Sequence, residues 1–147
     1  MAKEIEPVPL AEHTCFALYS AHMAVQRAYK PVLDSLGLTY PQYLVMSTLW
    51  HQDAMAVGEI AEHLGLESST LTPLLQRLEA AGFVHRRRDP ENERRVVISL
   101  ADAGKALRKE AHCVTDRLSE ASGMSGEKLG QITAMVRELQ QAVESRS

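Results

Sequence analysis

Cys15 is one of only two cysteines in the chain, and its neighbourhood raises the question of thiol chemistry. A thiol that reduces a peroxide must be a thiolate at neutral pH, because only the anion attacks the O–O bond, and its sulfenic acid product must be reachable by a second thiol. No lysine or arginine lies near Cys15 in the sequence, so phenol hydroxyls are the candidate donors to the anion. Tyr19, one helical turn on, is the local neighbour. Tyr29 follows fourteen residues after Cys15, which is ~21 Å along a continuous helix but only ~40° around it. Within one chain the two groups cannot touch. Two such helices crossing antiparallel about a two-fold axis near His22 would set Tyr29 of one subunit beside Cys15 of the other. The plainer alternative makes Cys15 a small buried hydrophobe and the tyrosines amphipathic packing.

The second thiol, Cys113, points ~130° away from the stripe formed by Leu107, Ala111, Val114 and Leu118, so it faces a partner or solvent rather than a core. His13 with Cys15, and His112 with Cys113, lack the compact spacing of metal ligands. No metal or cofactor is expected. A thiol peroxidase could use the same reactive cysteine but would need a recycling reductant and leaves the middle of the chain without a purpose.

That middle carries a different chemistry. Leu71, Leu74, Leu75 and Leu78 fall on one face of a helix, and the opposite arc presents Ser69, Thr70, Thr72, Pro73, Gln76 and Arg77, with Ser68 at its start. Hydroxyls, an amide and a guanidinium suit phosphate oxygens and base edges in a major groove. Six of the sixteen basic residues, Arg77, Arg86, Arg87, Arg88, Arg94 and Arg95, lie between positions 77 and 95. Arg94 and Arg95 flank a turn, so one of them could enter a minor groove while Arg86 or Arg88 contacts the backbone. Against this stands the reading of a solvated face partly neutralised by Asp89, Glu91 and Glu93.

The elements that must hold these groups are mostly helical. A long stretch from about Leu10 to Leu36, bent near Pro31, is stopped by Gly37. Thr39 caps a second helix with Pro41 in its first turn. Gln52 to Met55 reads as a connection. Val57, Ile60, Ala61 and Leu64 mark a short amphipathic helix ending at Gly65, and Ser68 or Ser69 caps the polar-faced helix that stops at Gly82. Phe83 and Val84, the Asp89–Asn92 turn and the β-branched run Val96–Leu100 predict a two-stranded hairpin. Two further helices, centred on Val114 and Met135, close the chain. The predicted fold is mainly α with a small β-hairpin wing, a winged helix-turn-helix at residues 39–101 between helices at 1–38 and 102–147.

Composition fits one globular unit: 147 residues, 45% hydrophobic and 24% charged. A net charge of -3 hides the arginine segregation. Six of the seven aromatics (Phe16, Tyr19, Tyr29, Tyr40, Tyr43 and Trp50) fall between residues 16 and 50. The opening residues lack the apolar run of a secretory signal, and two cysteines make no disulfide framework, so a reducing cytoplasm and no membrane association are expected.

With these residues placed, the sequence resembles the MarR family of winged-helix regulators, most specifically over Leu66–Glu79 and over the wing segment Asp89–Arg95. Within that family it resembles the organic-hydroperoxide-sensing (OhrR-type) repressors, through Cys15–Tyr19, Tyr29–Asp34 and Gly37–Leu44. The resemblance implies a homodimer built by the first and last two helices. It implies a repressor that binds double-stranded operator DNA and leaves it when Cys15 is oxidised by an organic hydroperoxide, with Tyr29 and Tyr40 bonding the sulfur. The chain departs from the family at Asn92, often an aspartate, and at Ala56 and Ala101, which replace common N-cap hydroxyls. In two-cysteine members the second thiol lies nearer the loop that Ser122-Gly123-Met124 matches. Oxidised Cys15 therefore has three open fates: an intersubunit disulfide with Cys113, a mixed disulfide with a small thiol, or a higher oxide. A MarR-type repressor released by a small phenolic or aromatic ligand, with His13, His22 and the tyrosines lining the pocket, is the alternative.

Overall fold

The structure, a computed structural model, describes residues 5–147. A single 3-10 turn, Leu10–Glu12, precedes the first long helix, α1 (Thr14–Leu36). The sequence reading merged the two. His13 breaks them with an extended backbone while its Nε2 bonds the carbonyl of Val8 at 2.8 Å. α1 continues as one helix through Pro31, which removes one backbone donor.

α2 (Tyr40–His51) starts where expected. Thr39 accepts from the Gln42 N–H, and the Gln42 side chain accepts from the Thr39 N–H at 2.9 Å, a closed capping box. Gln52 to Met55 is not only a connection. Met55–Ala56 forms β1, which pairs antiparallel with β3 (Met55 opposite Ile98, Ala56 opposite Val97), so the sheet has three strands rather than two, in the order β1-β3-β2. β2 (Val84–Asp89) and β3 (Asn92–Leu100) form the predicted hairpin, with a register shift between Arg88 and Asp89 where it turns.

α3 (Val57–Leu64) and α4 (Ser68–Ala80) are joined at Gly65, whose φ of 65° is the left-handed conformation a tight helix-to-helix turn requires. The N-cap of α4 is Glu67 and makes no side-chain cap bond, so neither Ser68 nor Ser69 serves as the cap. Both serines instead lie inside the helix. The core gathers Met46 and Leu49 from α2, Ile60 from α3, Leu71, Leu75 and Leu78 from α4, and Ile98 from β3, all fully buried. Each such side chain contributes roughly 1.5–3 kcal/mol of apolar burial.

α5 (Asp102–Ser122) returns along α1, and the Arg117 Nε–H donates to the Ala28 carbonyl at 3.1 Å across that contact. α6 (Gly126–Glu144) buries none of its residues. No helix among the described residues is long and apolar enough to cross a membrane.

Candidate functional site

One end of the molecule is built by α3, α4 and the β2–β3 hairpin. Because Leu71, Leu75 and Leu78 are buried, the helical period turns Ser68, Ser69, Thr70, Pro73, Gln76 and Arg77 outward, and all six are exposed. Thr72 is half-buried. Its hydroxyl donates to the Ser68 carbonyl at 2.8 Å, which leaves only its lone pairs for a partner. A groove of about 650 Å³ bounded by α3, the start of α4 and the hairpin is lined by Glu59, Glu62, Ser68, Thr72 and the arginines Arg86, Arg94 and Arg95, among others.

The arginines are not equivalent. The two-residue period of β2 sets Arg86 and Arg88 on the face of buried Val84. Arg86 is half-buried with a partnerless, buried Nε, and Arg88 is exposed. Arg95 is held at both ends of its guanidinium, by Glu59 of α3 at 3.0 Å and by Asp89 of the turn at 3.4 Å. Arg94, its neighbour, forms no ion pair among the described residues, and its backbone N–H is fixed by the Asn92 side chain at 3.2 Å. Asn92 thus performs locally what a carboxylate would. Sequence reasoning missed Glu59, which lies 36 positions from its partner and carries no local signal.

The cysteines and the tyrosine cluster lie on α1, α2 and α5. Cys15 is exposed on the first turn of α1, and no hydrogen bond reaches its sulfur among the described residues. Tyr19, expected beside it, is 61% exposed. Tyr29 is buried near the far end of α1 and packs against Tyr40 of α2, with ring centroids 5.9 Å apart. His22 meets Tyr40 edge-on at 6.2 Å. Burial, and for Tyr29 also the neighbouring phenols of Tyr40 and Tyr43, raise the pKa of Tyr29 and Tyr40 above the ordinary phenol value of 10.0. Both therefore keep their protons at neutral pH and are available as donors. Tyr43 continues the cluster at 6.2 Å from Tyr40. The sequence signal for Tyr43 was its place three residues after Tyr40 on one helical face.

Cys113 is exposed on α5, as its angle predicts. His112 Nδ1 lies 2.7 Å from the Lys109 carbonyl, which can only accept, so Nδ1 carries the proton. Its Nε2 lies 3.9 Å from the Cys113 sulfur.

The MarR family profile matches residues 38–96. The organic hydroperoxide resistance transcriptional regulator of Bacillus subtilis (strain 168) is 39% identical over 132 residues, covering 90% of each chain. The HTH-type transcriptional regulator TtmR of Methylorubrum extorquens (strain PA1) is 45% identical over 120 residues, 82% of this chain, which spans only 62% of TtmR's length. Among solved structures, reduced AbfR of Staphylococcus epidermidis bound to DNA is 33% identical, with a TM-score of 0.78 over 92% of this chain and 93% of AbfR. A disulfide-formed state of AbfR matches at a TM-score of 0.64, covering 92% and 90%.

Proposed function

This chain belongs to the MarR family of transcriptional regulators, and on that premise we propose that it is a homodimeric repressor released from operator DNA when Cys15 is oxidised by an organic hydroperoxide. Its relatives are named as regulators rather than enzymes. The observation that carries the redox part is a separation: an exposed thiol without a donor on the first turn of α1, and the protonated Tyr29–Tyr40 pair where the later part of α1 packs against the start of α2. In a two-fold dimer with antiparallel α1 helices, residues 1–38 and 102–147 form the interface, and Tyr29 and Tyr40 of one subunit donate to Cys15 of the other. Tyr19 flanks that site from the thiol's own helix.

The reaction follows from those groups. The thiolate attacks the hydroperoxide, an S–O bond forms as the O–O bond breaks, and the alkoxide leaves and takes a proton to become an alcohol. The sulfenic acid then condenses with a thiol, either Cys113 of the partner or a small thiol, with loss of water.

In the reduced state the two α4 helices enter successive major grooves, about one DNA turn apart. Ser68, Ser69, Thr70, Thr72, Pro73, Gln76 and Arg77 face the groove; Arg94 enters the minor groove, and Arg86 and Arg88 approach the backbone. Arg95 stays with Glu59 as the wing's anchor. The test is duplex binding by wild type and Cys15→Ser with and without organic hydroperoxide. Cys15→Ser is expected to bind and to stay bound under oxidant; its release would refute the thiol reading.

One observation favours a second reading. A cleft of about 380 Å³ beside α1 and the start of α2 is lined by Arg27, Lys30, Asp34 and Tyr40 but by neither His13 nor His22; with Lys30 paired to Asp34 at 3.1 Å, Arg27 and the Tyr40 phenol are its groups for a small aromatic anion. Release by such a ligand would survive the loss of Cys15.

A further inference from the structure

We propose that Trp50 is a positioning residue that ties the tyrosine cluster to the root of the wing, so that displacement at the cluster is passed to the DNA-facing end. The proposal rests on the functional reading above and names the internal link it requires. Tyr40, Tyr43 and Trp50 all belong to α2, where offsets of three and seven residues keep them on one face. From Tyr29 to Trp50 the rings follow one another at centroid distances of 5.9, 6.2 and 6.2 Å.

At the end of this row the Trp50 indole N–H donates to the carbonyl of Gly104, in the first turn of α5, at 2.8 Å. Gly104 is itself wedged. A Cβ at this position would collide with the Phe83 carbonyl oxygen and would lie 3.2 Å from the Met46 side chain. The Phe83 carbonyl also accepts the Ala101 N–H at 3.0 Å. Phe83 is the residue immediately before β2. Each joint from the phenols to the first residue of the wing is therefore a direct contact, and close-packed interiors transmit small shifts instead of absorbing them. A phenylalanine at position 50 would keep the ring contact with Tyr43 and lose the indole bond to the Gly104 carbonyl.

Trp50 is the chain's single tryptophan, so its emission reads this joint in the intact dimer. The experiment uses a duplex selected by the protein from a random pool, with tert-butyl hydroperoxide as oxidant and thiol titration to follow Cys15. In wild type, the emission should shift on duplex binding and shift again on oxidation. Trp50→Phe should oxidise at Cys15 normally, while its ratio of reduced to oxidised duplex affinity shrinks roughly threefold to tenfold, the size of one lost hydrogen bond. If that variant does not fold, a benzothienyl analogue of tryptophan, with the same ring shape and no N–H, replaces it. An unchanged affinity ratio, or emission that ignores both duplex and oxidant, overturns the link alone. Wild type that keeps its duplex after Cys15 is oxidised overturns the functional reading and the link with it.

Discussion

Arg94 and Arg95 are adjacent arginines with different work. The Arg95 guanidinium is engaged by two carboxylates, whereas Arg94 is free to meet a phosphate or a minor groove. Arg94→Ala should weaken binding across all sequences and lower the salt slope of binding by about one. Arg95→Ala should act mainly through the fold, and a double-mutant cycle with Glu59→Gln should return roughly 0.2–1 kcal/mol, the range for an exposed pair. Gln76→Ala should behave differently again, relaxing discrimination at one base pair by roughly 1–3 kcal/mol. The tyrosines give a pH signature. Their pKa values are raised by folding, so between 10.0 and the raised values the native state holds protons that the unfolded chain has lost. Their contribution to stability is complete below pH 10 and declines as pH rises through the folded values. Denaturant unfolding at pH 9 and 11 should show that loss in wild type and a smaller loss in Tyr40→Phe.

Among the elements, α5 is fixed by its first turn. Gly104→Ala should destabilise the protein by roughly 1–3 kcal/mol, since the new methyl meets a backbone oxygen that cannot rotate away. Gly130→Ala in α6 meets nothing within 4 Å and should be neutral or stabilising, by up to about 1 kcal/mol in thermal or denaturant melts. What was legible in the sequence follows the range of the forces involved. The α4 stripe, the Thr39 capping box and the hairpin turn are set by residues within a few positions of one another. β1 was invisible because two residues carry no periodicity, and Met55 and Ala56 become a strand only by pairing with Ile98 and Val97. The Arg95–Glu59 pair and the Trp50–Gly104 bond join residues 36 and 54 positions apart and leave no trace along the chain. The cap of α4 misled for a local reason: Ser68 and Ser69 are strong N-cap residues, but the helix already begins at Ser68, which puts the cap position at Glu67.

At the scale of the molecule, the protomer is unfinished. Phe16, Leu18 and Met23 on α1, and Ile132, Met135, Val136, Leu139 and Val143 on α6, are exposed, with Met135 at 70%. A single chain covers its DNA-facing half well and leaves the terminal helices bare, which supports the proposed pairing of 1–38 and 102–147. Charge placed there, as Met135→Glu with Val136→Glu, should shift the sedimentation mass from dimer to monomer and make duplex binding concentration-dependent.

The spacing of Cys15 and Tyr29 on one rigid rod has a final consequence. A sensor whose thiol and proton donors come from different chains does not exist in the separated subunit, and neither does a pair of helices spaced for two grooves. In the proposed sensor, dilution would remove oxidant sensing and DNA grip in the same event. On that proposal, protein dosage and oxidant are two inputs to one output.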